Sequence, residues 1–218
     1  MPLVAPLAQF PLFYCVKHPL IAHKLSLLRD IKTPAKIFRE LVAEITLLIA
    51  YEATQDLSLS EVSVTTPLET MLTPMLTDRY PVIVPILRAG LGMTESFLQL
   101  IPEARVGHIG LYRDEESLQP KQYYFKIPQK SENSDYFICD PMLATGGSIA
   151  KAISLLKERG IQRITFVCLV AAPEGVEVVA SAHPDVKIYT ASLDRKLNEH
   201  GYILPGLGDA GDRLFGTK

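Results

Sequence analysis

Tyr136-Phe137-Ile138-Cys139-Asp140-Pro141-Met142-Leu143-Ala144-Thr145-Gly146-Gly147-Ser148 changes character at one carboxylate. An apolar run leads up to Asp140 and small residues follow it. Then Ile149, Ala152, Ile153 and Leu156 recur at i, i+3, i+4 and i+7, with Gly160 as a C-terminal stop. That order predicts a strand, a phosphate-sized loop and a helix. Gly146 and Gly147 let the backbone approach a ligand closely. Thr145 and Ser148 add hydroxyl donors, and the free N–H groups at a helix start favour an anion. Asp140, at the mouth of the loop, is placed to accept hydrogen bonds from sugar hydroxyls. Taken alone, Thr-Gly-Gly-Ser is an ordinary flexible turn. No Gly-Lys-Ser/Thr follows at the spacing of a Walker loop. The flanking strand and helix shift the reading toward a bound phosphate, and toward a phosphorylated sugar rather than a triphosphate.

Outward from this segment the pattern repeats. Pro81 to Leu87 is a short apolar run, Arg88-Ala89-Gly90-Leu91-Gly92 a loop and Thr94 to Ile101 a helix. Arg105 to Tyr112 reads as a strand, Arg113 to Gln122 as a polar loop and Tyr123 to Ile127 as extended chain. Beyond the helix that ends near Arg159, Ile161 to Val170 is another apolar run, Val176 to Ser181 a short helix and Val186 to Ala191 a last core strand. Continuous β-branched runs alternating with helices predict an α/β fold with a parallel sheet covered on both faces. Ligands in such sheets bind beyond the carboxyl ends of the strands. The loops at Arg88, Asp140 and Pro173 are therefore expected to converge on one cleft. Nearer the start, His18 to Asp30 reads as a helix. Thr33 reads as the N-cap of a longer one to about Thr54, with Pro34 at N1. Gln55 to Met75 is mixed, punctuated by Pro67 and Pro74.

The 218 residues are 48% hydrophobic, with a mean hydropathy of +0.17. That composition is ample for one large core, and no linker divides the chain, so residues 1–218 are expected to form a single domain. A net charge of −2 gives no global attraction to nucleic acid or to an anionic membrane. Cys15, Cys139 and Cys168 are odd in number and contain no Cys-x-x-Cys pair, which predicts buried, reduced thiols. Met1 to Val16 is apolar but lacks a basic n-region and is broken by Pro2, Pro6 and Pro11, unlike a signal peptide. No apolar stretch reaches the roughly 18 residues of a membrane span. The expectation is a soluble, cytoplasmic protein.

Arg88 stands beside Gly90 and Gly92 at the end of its strand. It is either a solvated side chain at an ordinary turn or a charge-assisted clamp on a pyrophosphate held by the loop. Leu111-Tyr112-Arg113-Asp114-Glu115-Glu116 ends the next strand with a second arginine. Its polar continuation to Lys126 is either a solvated loop or a lid that closes over a site. From His200 to Lys218 the tail carries Gly201, Gly206, Gly208, Gly211 and Gly216 among apolar residues. Ile203, Leu204 and Phe215 argue that it docks rather than dangles, and its backbone could read the edge of a flat heterocycle. The histidines show no metal-ligand spacing, His18 and His23 read as structural, and no Ser-His-Asp or Cys-His grouping favours covalent catalysis.

His18-Pro19-Leu20-Ile21-Ala22-His23-Lys24-Leu25, Pro85-Ile86-Leu87-Arg88-Ala89-Gly90-Leu91-Gly92-Met93, Asp140 to Ser148 and Gly201 to Lys218 together resemble the uracil phosphoribosyltransferase family, in family order over nearly the whole chain. The resemblance implies a type I phosphoribosyltransferase fold: a central, mostly parallel sheet flanked by helices, with a small hood formed by the N- and C-terminal segments. It implies transfer of the 5-phosphoribosyl group of 5-phosphoribosyl 1-diphosphate (PRPP) to N1 of uracil, with inversion, giving UMP and diphosphate. It assigns PRPP to Arg88, Arg113, Asp140, Pro141, Met142, Leu143, Ala144, Thr145, Gly146, Gly147, Ser148 and Asp209. Uracil falls to Ile203, Gly208, Asp209 and Ala210, and the catalytic roles to Asp140, Arg113 and Asp209. Mg²⁺ is expected on PRPP rather than in a protein site, GTP as an effector, and a homodimer or higher homo-oligomer as the assembly. The wider superfamily has two adjacent acids before its phosphate loop. Here Cys139 precedes Asp140, a departure shared by the uracil branch and contrary to the purine enzymes. The rival from another class, a nucleotide-sensing RNA-binding regulator on the same fold, would need a basic face, and no Lys/Arg run supplies one.

Overall fold

Each near-continuous apolar run becomes a strand buried on both faces. The computed structural model describes residues 4–7, 10–76, 80–113, 120–129 and 134–217. In chain order, β1 (Val4–Leu7) and β2 (Phe10–Val16) lead into α1 (Pro19–Arg29) and α2 (Ala35–Ala53). They are followed by β3 (Ser60–Thr65), β4 (Thr70–Met75), β5 (Val82–Leu87), α3 (Leu91–Leu100), β6 (Arg105–Val106), β7 (His108–Arg113) and β8 (Pro120–Lys126). The second half runs through β9 (Tyr136–Cys139), β10 (Met142–Leu143), α4 (Gly147–Lys157), β11 (Ile164–Ala171), α5 (Pro173–Ala182) and β12 (Lys187–Leu193). It ends with β13 (Lys196–Leu197), β14 (Ile203–Leu204) and α6 (Ala210–Phe215).

The main sheet has the order β1-β2-β12-β11-β9-β5-β7-β8. All neighbours from β2 to β7 are parallel, and only the edge strands β1 and β8 run antiparallel. Period-2 alternation divides the core. Val82, Val84 and Ile86 of β5, with Tyr136 and Ile138 of β9, face α4 and α5. Ile83, Phe137 and Cys139 face the opposite layer of α1, α2, α3 and α6. From β5 the chain passes through α3 to β7 on one side of the sheet; from β9 it passes through α4 to β11 on the other. The reversal puts a crevice beyond the carboxyl ends of β5 and β9, where open α/β sheets bind ligands.

Several sequence expectations change. Residues 55–75 contain the β3–β4 hairpin, a separate two-stranded sheet. Of the expected polar loop from Arg113 to Gln122, Arg113 ends β7 and 120–122 open β8, which pairs with it antiparallel; 114–119 lie outside the described residues. Thr33 does not cap α2: Pro34 holds that position in an extended conformation, and the Thr33 hydroxyl donates at 2.6 Å to the Leu27 carbonyl near the end of α1, which also accepts from Asp30 N. His18 caps α1, its Nδ1 accepting from Leu20 N at 3.1 Å. Of the N-terminal segments, α1 is tied to the C-terminal tail by Arg29, which donates to the Gly206 carbonyl, whereas β2 joins the main sheet beside β12 and buries Phe13 and Val16.

Candidate active site

Two strand ends and the tail build the cleft. At the end of β5, Arg88-Ala89-Gly90 turns the chain into α3, and the Leu87–Arg88 peptide bond is cis. A Cβ at Gly90 would lie 2.3 Å from the Cys139 carbonyl oxygen. The β5 and β9 loops therefore touch through backbone alone, and only glycine fits there. Arg88 reaches outward, 59% exposed, to within 3.9 Å of Asp212. Its guanidinium lies 5.9 Å from the centre of the Phe215 ring.

At the end of β9, Asp140 Oδ1 accepts from Met142 N at 3.1 Å. Burial pushes the Asp140 carboxyl up to about 7; the Met142 N–H works against the rise and the charge of Asp209 adds to it. The Pro141 carbonyl accepts from Leu169 N and Val170 N, and that of Leu143 accepts from Ala172 N at 2.8 Å, locking the loop onto β11. Gly146 then adopts φ 81° and α4 begins with no side-chain cap. Its first N–H groups are left for a ligand.

Asp209 enters from the tail. Its Oδ1 accepts from Asp212 N at 2.9 Å, capping α6. The tail does dock, though through other residues than Phe215, which stays exposed: Ile203, Leu207, Ala210 and Leu214 are buried in the core. Arg39 donates to the Leu214 carbonyl, and Arg213 to the carbonyls of Leu207 and Asp30. Arg29 holds Asp194 in a two-pronged pair and donates to the Gly206 carbonyl. Sequence reading missed these four anchors, because an isolated arginine or aspartate carries no periodic signal.

The result is a cleft of about 280 Å³ whose walls include Arg88, Asp140, Met142, Ala144, Thr145, Gly146, Ser148 and Asp209, together with Ala89, Ile149 and Gly211, which the sequence had not singled out. Leu143 is fully buried in the core, Pro141 is buried, and Gly147 sits just behind the wall at the helix start. Ile203 and Ala210 are buried and Gly208 is exposed, all three close in sequence to Asp209 but not in the wall. Arg113 ends β7, and its side chain lies outside the described residues. The Pro173 loop does not line the cleft. It supports the loop after β9 from behind, since a Cβ at Gly175 would lie 2.2 Å from the Ala144 carbonyl oxygen. One cationic side chain, a helix N-terminus, two hydroxyls and two carboxylates thus share a single space. Such a set suits an anion that also carries hydroxyl groups.

Residues 15–217 match the family model described as uracil phosphoribosyltransferase. A Macrococcus caseolyticus protein named uracil phosphoribosyltransferase is 62% identical over 201 residues, covering 92% of this chain and 96% of its own. A Streptococcus agalactiae protein of the same name is 59% identical over 206 residues, covering 94% and 99%. A solved structure of an Aquifex aeolicus protein superposes with a TM-score of 0.89 at 37% identity, covering 94% of this chain and 99% of its own. A hypoxanthine-guanine phosphoribosyltransferase from L. donovani shares only the fold, with a TM-score of 0.51 at 13% identity over 73% of this chain and 84% of its own.

Proposed function

The chain belongs to the uracil phosphoribosyltransferase family, and from that membership we propose how its cleft carries out the reaction. The activity is transfer of the 5-phosphoribosyl group of PRPP to N1 of uracil, giving UMP and diphosphate in pyrimidine salvage, on a type I phosphoribosyltransferase fold. The RNA-binding alternative is not favoured by these relatives.

In our reading the 5-phosphate of PRPP rests on the uncapped start of α4 and the hydroxyls of Thr145 and Ser148. Asp140 accepts from the ribose hydroxyls, and the diphosphate lies along the Arg88 loop. The C1–O bond to diphosphate breaks as the bond from uracil N1 forms on the opposite face, and the N1 proton passes to the departing diphosphate or to solvent. The ribose passes through an oxocarbenium-like state, so the protein must position the ring in line, neutralise the leaving group and keep water out. Arg88 supplies positive charge on the diphosphate, and Arg113 joins it when the β7–β8 hairpin closes. Mg²⁺ bound to PRPP would add neutralisation, and Asp140 and Asp209 would offer the hard oxygen donors such a cation accepts. Asp209 also orients uracil, which the backbone of Ile203 and of Gly208 to Ala210 reads.

The observation that carries this reading is the convergence of Asp140, the α4 N-terminus, Arg88 and Asp209 on one cleft. Purified protein given PRPP and a panel of bases is expected to release UMP from uracil and no nucleotide from hypoxanthine, guanine or adenine. Failure to form UMP would reject it. The same reading includes a homodimer or higher homo-oligomer, supported by the exposed Leu68, Met71, Leu72 and Met75 of the β3–β4 hairpin, and light scattering checks it. GTP activation and a cytoplasmic location belong to it too, checked by initial rates with added GTP and by cell fractionation.

A further inference from the structure

Gly206 lies between the two backbone stretches assigned above to uracil, Ile203 and Gly208 to Ala210, and both of its polar backbone atoms are held by one ion pair. Its N–H donates to Asp194 Oδ2 at 2.9 Å. Its carbonyl accepts from a guanidinium nitrogen of Arg29 at 2.5 Å. Arg29 in turn grips both Asp194 oxygens, at 2.6 and 2.7 Å, and Ser192 Oγ donates to the same carboxylate at 2.7 Å. The Asp194 side chain is only 2% exposed and that of Arg29 21%. Burial alone would raise the Asp194 carboxyl; the Arg29 and Ser192 hydrogen bonds, the charge of Arg29 and the Gly206 N–H outweigh it and hold the group below its ordinary range.

We infer that Arg29 and Asp194 are positioning residues for the base: a clasp, contributed by the end of α1 and the loop after β12, that fixes the Gly206 peptide and with it the backbone frame reading uracil. Gly206 has φ 59°, and a Cβ there would lie 2.1 Å from the Ile203 carbonyl oxygen. The Ile203–Gly206 turn is therefore tight enough for the clasp's grip to be transmitted to Ile203. Asp209, by contrast, is held by other anchors. It caps α6, and α6 is tied down by Arg39 on Leu214 and by Arg213 on the Asp30 carbonyl, bonds that a change in the Arg29 side chain leaves in place. The clasp should therefore act on uracil and spare PRPP. A planar fork is needed, because only a guanidinium can meet two carboxylate oxygens and a carbonyl together.

The inference rests on the reading that the tail binds uracil, and the test separates the two. Arg29→Lys keeps the charge and removes the fork, Asp194→Asn keeps the shape and removes the charge, and Gly208→Ala disturbs the base frame directly. Initial rates are measured with each substrate varied, with cytosine as competing base and thermal melting to confirm folding. In Arg29→Lys the KM for uracil is expected to rise roughly tenfold to a hundredfold, as small misplacements near a reacting group do. The KM for PRPP should stay within about twofold, and discrimination against cytosine should fall. Asp194→Asn, where it folds, should behave likewise. An unchanged uracil KM in folded Arg29→Lys, or an equal rise in both KM values, overturns the clasp. If Gly208→Ala raises the uracil KM while Arg29→Lys does not, the clasp fails and the tail remains the reader of the base. If no variant changes it, the tail reading falls, and the clasp with it.

Discussion

Asp140 meets its task from an unfavourable protonation state. Its carboxyl is pushed up to about 7 by burial and then by the charge of Asp209, against the Met142 N–H. Because the folded value lies above the ordinary 3.8, the fold prefers the acid form. This group's contribution to stability is complete below the unfolded value and is lost as pH rises through about 7. The proposed role, accepting from ribose hydroxyls, asks instead for the carboxylate. The kcat/KM for PRPP is therefore expected to climb from about pH 6 to about pH 8, and Asp209→Asn should move the midpoint down. Carbon NMR of the labelled carboxyl reads the titration directly, and a midpoint below about 5 would contradict it. Asp140→Asn should lower turnover by about 10²-fold, through misplacement of the reacting carbon, with the melting temperature retained. Gly90 makes a different residue-scale case. An alanine methyl 2.3 Å from the Cys139 carbonyl must push the β5 and β9 loops apart. Gly90→Ala is expected to cost about 2–4 kcal/mol in urea unfolding, and a loss under about 0.5 kcal/mol would show that the loops yield freely.

Whether an element could be read in the sequence depended on how deeply it is buried. β5, β9 and β11 are covered on both faces, so their residues form unbroken apolar runs, and the cleft at their carboxyl ends was legible with them. β8 and the β3–β4 hairpin are mostly exposed, so their signal is thin: Val62 and Val64 alternate in β3, β8 reads only as extended chain from Tyr123, and no apolar run marks the hairpin. The cap at Thr33 was misplaced for a local reason, its hydroxyl serving the preceding helix instead. The β7–β8 hairpin also changes how closure over the site would occur. Its base is pinned to α4 by Arg159, whose guanidinium lies 3.7 Å from the centre of the Phe125 ring. Farther along, Pro120 stands 4.0 Å from where a Gly147 Cβ would be, above the start of α4. The hairpin should thus move as a stiff flap hinged near Phe125. Adding PRPP is expected to slow hydrogen exchange at 121–124 while leaving 125–126 unchanged. Equal exchange with and without PRPP would show that the hairpin does not respond to the substrate.

At the scale of the whole molecule, the reversal of strand order between β5 and β9 opens the cleft and the tail closes one side of it. That tail is not an appendage. Leu207, Ala210 and Leu214 belong to the same core layer as α2 and α3, and a Cβ on Gly92 would already lie 2.9 Å from Leu214. Deleting the tail would therefore strip the core as well as the base site, and selectivity is the cleaner measure of what it does. Uracil presents acceptor, donor and acceptor along O2, N3–H and O4, whereas cytosine replaces the last two with an acceptor and a donor. A backbone frame fastened to the core at Leu207, Ala210 and Gly206 cannot turn its N–H and C=O groups to suit both edges. Cytosine would leave buried donors facing donors and acceptors facing acceptors, a mismatch that costs a factor of roughly 10⁴ in specificity. The ratio of kcat/KM for uracil over cytosine in the intact enzyme should approach that figure. It should shrink in Gly208→Ala, because a side chain is strained at φ 80°, where glycine is not, and the backbone must shift to relieve it. A ratio below about tenfold in the intact enzyme would mean that the frame tolerates both edges and that the base is chosen elsewhere in the cleft.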